Sequence, residues 1–168
     1  MRSRRIVAVL ALITVTSSYG DDDGGDADLP LVGDIEPAVE ALEDELGDAP
    51  QYYEIRATPL AVTLWVSADQ GRRAIPYVFA DGELADPEAA QTVDAGYTFA
   101  AADALTFESD HVLDQVVDDL DTPLTQLSIV GTEAGEPRMT VTAQSDRGGQ
   151  LDIVLAPDGH VLETLTDD

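Results

Sequence analysis

The chain has 168 residues, 44% of them hydrophobic, which is enough for one ordinary core or two small ones. Its 34 acidic residues stand against 8 basic ones, all arginines, and the formal net charge of −26 disfavours nucleic acid and acidic membrane surfaces as partners. The absence of cysteine excludes disulfides, thiol nucleophiles and cysteine-based metal sites.

Residues 1–20 have the pattern of an export signal. Three arginines precede an apolar run over 6–15, and small residues at positions 18 and 20 suit a cleavage site. The run is shorter than the roughly 20 residues that a membrane-spanning helix needs. The sequence therefore predicts an extracellular or cell-envelope protein without a stable membrane span.

An acidic tether is predicted over residues 21–33. Its first part, DDDGGDAD over 21–28, cannot bury enough apolar surface to fold, and its acids do not have the spacing of a calcium loop. An export signal followed at once by such a stretch resembles the N-terminus of bacterial envelope lipoproteins. Tyr19 stands where those proteins have the cysteine that carries the lipid, so the resemblance supports export rather than a lipid anchor.

One helix and four strands are predicted between residues 34 and 86. Apolar residues recur at helical spacing over 34–46. Three segments then alternate apolar and polar residues, as strands with one buried face do: 51–58, 60–67 and 74–80. In the first of these strands the alternation places Tyr53 on the buried face. Asp81-Gly82 predicts a tight type I′ turn into a short strand near 83–84.

The same order recurs after a connector over 87–107, so residues 108–168 are predicted to repeat the unit. A helix over 109–120 precedes strands around 127–129, 139–143 and 151–155, and a second Asp-Gly pair lies at 158–159. We therefore expect an α+β fold with two repeated units. In each unit, one helix packs on a three- to four-stranded antiparallel sheet.

This layout looks like the tandem PepSY-like and β-lactamase-inhibitor-protein-like modules of secreted bacterial proteins. The resemblance covers about residues 34–165 and rests on topology, hydrophobic period and the repeated hairpin. It implies two helix-plus-sheet halves that present a concave sheet surface to a partner. The secreted inhibitor has disulfides and this chain has no cysteine, so the resemblance does not extend to inhibition of a lactamase.

The candidate binding residues are those that the alternation places on the open face of the sheet: Trp65, Tyr52, Arg56, Thr63 and Val78. A face with Trp, Tyr and Thr is suited to recognise a protein or peptide surface. Alternatively, Trp65 packs beneath the connector around Tyr97 and Phe99, and Arg56 only relieves local repulsion between acids.

No residue pattern indicates catalysis, a metal or a cofactor. His111 lies beside Asp110 and Asp114 at a predicted helix start, and His160 follows the second Asp-Gly pair, without the spacing of a metal-ligand pair or a nucleophile elbow. We expect a non-enzymatic binding module that binds or inhibits a secreted protein or peptidase. A salt-adapted structural envelope protein without a dedicated ligand is the alternative, and an enzyme that uses His111 is the third. Nothing in the sequence indicates the oligomeric state.

Overall fold

The computed structural model describes residues 30–93, 96–105, 124–144, 149–156 and 160–167. A 3₁₀ turn, Val32–Asp34, leads into helix α1, Ile35–Leu46, and a second helix of four residues, α2, spans Ala101–Ala104. The strands are β1 Gln51–Ala57, β2 Val62–Ala68, β3 Arg73–Ala80, β4 Glu83–Leu84, β5 Gln91–Thr92, β6 Phe99–Ala100, β7 Leu124–Val130, β8 Arg138–Gln144, β9 Gln150–Leu155 and β10 Val161–Asp167.

The ten strands of the described residues form one antiparallel sheet. Its order is β10-β9-β8-β7-β1-β2-β3-β4, with β5 beside β3 and β6 beside β1. Strands β1 and β7 pair at the centre, where Ile55 lies opposite Ile129 and both are buried. This pairing joins two segments more than 70 residues apart into one continuous ladder.

The predicted fold of two repeated helix-on-sheet units is therefore wrong. The molecule is mostly one large sheet with one twelve-residue helix and a minor second helix in the described residues. Side-chain alternation identifies the buried face of a strand, but it does not say which distant strand pairs with it. The predicted helix over 109–120 and the predicted turn at 157–159 lie outside the described residues.

Helix α1 covers the core face of the sheet beside β2 and β4. Its apolar residues recur every three or four positions, so Ile35, Ala38, Val39 and Leu42 are buried on one side. The helix ends at Gly47, whose φ of 68° is the left-handed conformation that glycine adopts without strain. The predicted helix over 34–46 is thus confirmed to within one residue.

Adjacent tyrosines in β1 lie on opposite faces of the sheet. Tyr52 pairs with Val66 and Glu54 with Trp65, so the strand contains a β-bulge between positions 52 and 54. Tyr52 is fully buried on the core face, whereas Tyr53 is half-buried on the outer face. Strict alternation predicts the reverse, because it has no place for the extra residue.

The two edges of the sheet are finished differently. Strands β4 and β5 pair with the two ends of β3, and between them the Pro76 and Val78 carbonyls accept hydrogen bonds from Glu88 N and Ala85 N. At the other edge, β10 runs for seven residues, and no described residue pairs with its free side.

The turn between β3 and β4 has the geometry expected from its sequence. Asp81 and Gly82 both have positive φ, 53° and 80°, as a type I′ hairpin turn requires. Neither helix of the described residues is long and apolar enough to cross a bilayer.

Candidate functional site

The outer face of the sheet carries most of the predicted binding residues. Thr63 lies between Arg56 on β1 and Val78 on β3, directly opposite both, and all three point away from the core. Trp65 lies two residues along β2 on the same face. Tyr52 is not part of this surface, because the bulge in β1 turns it into the core and puts Tyr53 in its place.

A cleft of about 380 Å³ opens on this face, at the end of the sheet where β1 and β2 meet residues 91–93, 96 and 97. Its walls combine aromatic, small apolar and polar residues. The lining residues are Tyr53, Glu54, Arg56, Trp65, Ala74, Gln91, Thr92, Val93, Gly96, Tyr97, Val130 and Gly131. Of the predicted binding residues, Trp65 and Arg56 line the cleft, whereas Thr63 and Val78 lie beside it on the same face.

Trp65 lies at the base of the cleft between Pro76 of β3 and Glu54 of β1. Its ring is half-buried, and its indole Nε1 is buried without a hydrogen-bond acceptor among the described residues. An orphaned buried donor of this kind costs about 1–3 kcal/mol. The site therefore keeps an unsatisfied polar group beside a partly open aromatic surface.

Glu54 connects the two central strands through its carboxylate. Arg56 Nε donates to Glu54 Oε1 at 2.9 Å, Arg56 Nη2 forms an ion pair with the same oxygen at 2.8 Å, and Ser128 on β7 donates its hydroxyl to it at 2.7 Å. The side chains of Arg56 and Glu54 are 38% and 20% exposed. Glu54 Oε2 makes no hydrogen bond to a described residue, so an acceptor lies free beside partly exposed guanidinium donors.

Residues 91–93, 96 and 97 form the described part of the cleft's far wall, which is anchored from both sides. Thr92 pairs with Arg73, and Val93 N donates to the Arg72 carbonyl at 3.1 Å. Gly96 lies against the ring of Tyr53, where a Cβ atom would approach the ring to 2.8 Å. Gly131 lies so close to the Tyr97 backbone that a Cβ atom there would come within 2.6 Å of the Tyr97 carbonyl carbon.

Tyr53 fixes the end of β1 beneath this wall. Its hydroxyl donates to the Gly71 carbonyl at 2.6 Å across the turn between β2 and β3. Tyr53 O accepts a hydrogen bond of 3.2 Å from Gly131 N. The wall, the turn and the start of the β7–β8 loop are thus joined through one residue.

The outer face of the other half of the sheet carries a polar cluster in the described residues. Thr142 donates to Asp152 Oδ1 at 2.8 Å, and Gln150 donates its amide to the same oxygen at 3.1 Å. No aromatic side chain lies among the described residues of β7 to β10. The aromatic surface is confined to the half that contains β1 to β4.

The described lining of the cleft combines polar groups with aromatic surface. It has hydrogen-bond donors, a free acceptor and aromatic surface, and no three His, Cys, Asp or Glu residues of the described chain converge as a metal site. His160 is exposed, outside the cleft, and His111 lies outside the described residues. The one large pKa perturbation is on the other face, where burial and the nearby Glu43 raise the pKa of Tyr52 well above its usual range.

Several residues of the cleft were not predicted. Glu54 could have been predicted from the sequence, because it lies two residues from Arg56 on the same face of one strand and carries the opposite charge. No signal in the sequence indicated Ser128, Val130 and Gly131. They reach the cleft and Glu54 only because β7 pairs with β1. Of the two aromatic residues named in the alternative for Trp65, Tyr97 lines the same cleft, whereas Phe99 packs in the core beside Tyr52, with ring centroids 6.1 Å apart.

Comparison with known proteins gives one structural likeness. No family model matches the chain, and no curated protein matches it in sequence. A solved structure from Clostridium difficile 630, described as a "putative lipoprotein", is similar with a TM-score of 0.58 at 11% sequence identity, over 85% of this chain and 96% of that one. At this identity the likeness shows a shared fold. It shows neither a PepSY-like nor a β-lactamase-inhibitor-like family.

Proposed function

We propose that this chain is an exported, non-enzymatic binding protein that takes a segment of a secreted protein or peptide into the outer-face cleft. The proposal rests on one observation: Trp65 and the Glu54–Arg56 ion pair lie side by side at the base of the cleft. Export rests on the signal-like residues 1–20 and agrees with the name of the structural neighbour from Clostridium difficile.

A peptide suits this cleft because its backbone offers a donor and an acceptor at each residue. Glu54 Oε2 is available to accept a peptide N–H, and the partly exposed Arg56 guanidinium is available to donate to a carbonyl. Tyr53, Trp65 and Tyr97 supply the aromatic surface that is enriched at protein interfaces. An apolar side chain of the peptide fits among Ala74, Val93 and Val130.

Arg56 also gives the cleft a local charge that differs from the rest of the protein. Among the described lining residues the single carboxylate, Glu54, is paired with Arg56, so the described part of the lining carries no net charge in a chain of net charge −26. A neutral or acidic segment therefore meets less repulsion here than over the remaining surface.

The proposal is tested with Arg56→Gln and a matched control, Arg138→Gln. Arg138 lies opposite Val130 on β8, is exposed and does not line the cleft. Immobilised protein is used to capture partners from the secreted proteins of the source organism at low and high salt. The purified partner is then titrated while the emission of Trp65, the only tryptophan, is recorded.

We expect the wild type and Arg138→Gln to bind the same partner with a shift in Trp65 emission, and Arg56→Gln to bind it at least about tenfold more weakly. Capture of no reproducible partner at either salt concentration contradicts the proposal. So does a partner that binds all three proteins equally without a change in Trp65 emission.

A second candidate is a salt-adapted structural protein without a dedicated ligand. It is favoured by the burial of Trp65 Nε1 and by the close packing of Gly96 on Tyr53, which both give the aromatic residues a structural role. The two candidates differ in the cleft. A structural protein tolerates Arg56→Gln with no change beyond the modest stability of a partly exposed ion pair, about 0–1 kcal/mol.

A further inference from the structure

We infer that the free side of β10 is a second binding site, which takes up an extended segment with alternating basic and apolar side chains as an added antiparallel strand. This site is separate from the cleft and stands whether or not the cleft binds a partner. It is carried by three properties of β10: its unpaired backbone, its exposed apolar side chains and its charge.

The backbone of β10 is unpaired on one side in the described chain. Strand β10 pairs with β9 from Val161 to Asp167, and no described residue pairs with its other side. A seven-residue edge presents a row of N–H and C=O groups that suits the addition of another strand. Proteins usually protect such edges, and this chain protects its opposite edge with β4, β5 and two further backbone hydrogen bonds.

Large apolar side chains are exposed along this edge. Val161, Leu162 and Leu165 are 56%, 65% and 49% exposed, although they belong to a strand of the main sheet. By contrast, the large apolar residues of β1, β2, β7 and β8 on the core face are buried. An added strand would cover part of this apolar surface on both faces, because successive side chains of a strand point in opposite directions.

The charge of the edge identifies the kind of strand that fits. Glu163 is exposed on the outer face, and Asp152 lies on the same face opposite Leu165. A basic side chain in the added strand would pair with the exposed Glu163 carboxylate and be drawn to the acidic chain, whereas a second copy of this chain would bring another −26 charge to the same edge. The occupant is therefore a basic, extended segment rather than a second copy.

The test uses the full chain and three capped seven-residue peptides at 150 mM salt. The first peptide alternates valine with arginine. The second alternates valine with glutamate. The third repeats the first with every backbone amide N-methylated, so that it keeps the arginine charge but its backbone cannot donate hydrogen bonds. Affinity is measured by calorimetry, and amide hydrogen exchange is followed by NMR along β10 and along β4.

We expect the valine–arginine peptide to slow amide exchange at Thr164 to Thr166 and to leave the amides of Glu83 and Leu84 unchanged. The N-methylated peptide should bind at least about tenfold more weakly, because it loses several backbone hydrogen bonds. The valine–glutamate peptide should bind more weakly still, owing to charge repulsion.

Two matched substitutions separate the site from general attraction to an acidic protein. Glu163→Arg should weaken binding of the valine–arginine peptide by about threefold, the size expected of one exposed charge pair. Glu83→Arg makes the same change on the protected edge, where Glu83 is also exposed, and should leave affinity within error.

Equal affinity for the methylated and unmethylated peptides overturns the inference, and so does a lack of protection along β10. Protection of β10 that rises with protein concentration without peptide would assign the edge to a second copy instead. A peptide that shifts Trp65 emission without protecting β10 would support the cleft while refuting the edge, so the two proposals fail separately.

Discussion

The half of the sheet that contains β1 to β4 is closed by the chain itself, whereas the half that contains β7 to β10 remains open in the described residues. In the first half, α1 covers the core face, β4 and β5 cover the edge, and residues 91–93, 96 and 97 form a wall of the cleft on the outer face. In the second, the outer face carries a polar cluster around Asp152, and no described residue pairs with the outer side of β10. Antiparallel strands of the same kind thus carry the cleft in one half and the edge strand β10 in the other. In the described residues, the difference comes from the segments that connect the strands.

Removal of the packing beneath α1 is the largest expected disturbance of the closed half. Leu42 is fully buried between α1 and the sheet, so Leu42→Ala should lower the free energy of unfolding by about 3 kcal/mol. Leu46→Ala on the same helix is the control, because Leu46 is 40% exposed and should cost less than about 1 kcal/mol. Urea titrations of both variants measure the difference. Equal losses would mean that α1 does not stabilise this half by packing.

The wall of the cleft should respond next most strongly, because it depends on a contact with the other half. A Cβ atom at Gly131 would overlap the Tyr97 backbone, so Gly131→Ala should displace the wall and cost about 2 kcal/mol. Gly33→Ala serves as the control, since no atom lies within 4 Å of the added carbon. Urea unfolding gives the stability, and Trp65 emission reports the cleft. Unchanged emission in Gly131→Ala would show that the wall does not shape the surroundings of Trp65.

Local sequence patterns were sufficient for most elements of the closed half. The helix, the three long strands and the Asp81-Gly82 turn follow from short-range periodicity and turn chemistry, and they lie within two residues of their predicted bounds. In the other half, the predicted strands around 127–129, 139–143 and 151–155 lie within β7, β8 and β9, and their residues Leu127, Ile129, Met139, Val141 and Ile153 are buried.

Longer-range features were beyond sequence patterns. The central pairing of β1 with β7 is a contact between distant segments that no local period encodes, so one sheet was mistaken for two units. The bulge in β1 adds one residue that leaves the flanking alternation almost intact, yet it exchanges the faces of Tyr52 and Tyr53. The cleft depends on both features. The sequence therefore predicted that Trp65 and Arg56 lie on the outer face of the sheet, but it did not predict the wall of the cleft over residues 91–93, 96 and 97.

The hydroxyl–carboxylate bonds of the outer face offer a finer comparison of the two halves. Ser128→Ala should cost about 1.5 kcal/mol, because the Ser128 hydroxyl is buried and joins β7 to Glu54 of β1. Thr142→Val removes a similar bond to Asp152 inside the second half, where Gln150 remains as a donor, and should cost about 0.5 kcal/mol. Urea unfolding distinguishes the two. A larger loss for Thr142→Val would place the stronger polar link in the second half instead of at the centre.

The adjacent tyrosines of β1 provide the most delicate comparison, between the two faces of one strand. Tyr52→Phe removes a buried hydroxyl that has no partner, so stability at pH 7 should be unchanged or rise by up to about 1 kcal/mol. Tyr53→Phe removes the hydrogen bond to the Gly71 carbonyl and should lower stability by about 1 kcal/mol. Opposite signs from one chemical change would confirm that the bulge sends the two rings to different environments.

The alkaline pH dependence of Tyr52→Phe checks the same assignment independently. Burial and Glu43 raise the pKa of Tyr52, so its phenol stays protonated in the folded protein at pH values where the unfolded chain ionises, above about pH 10. The protonated phenol of Tyr52 therefore contributes its full share to the free energy of unfolding below about pH 10. Above that pH ionisation favours the unfolded chain, and the free energy of unfolding falls by about 1.4 kcal/mol per pH unit. Unfolding free energies measured from pH 9 to 11 should therefore fall more steeply for the wild type than for Tyr52→Phe. Parallel curves would mean that the phenol reaches solvent, and the core-facing position of Tyr52 would then have to be abandoned.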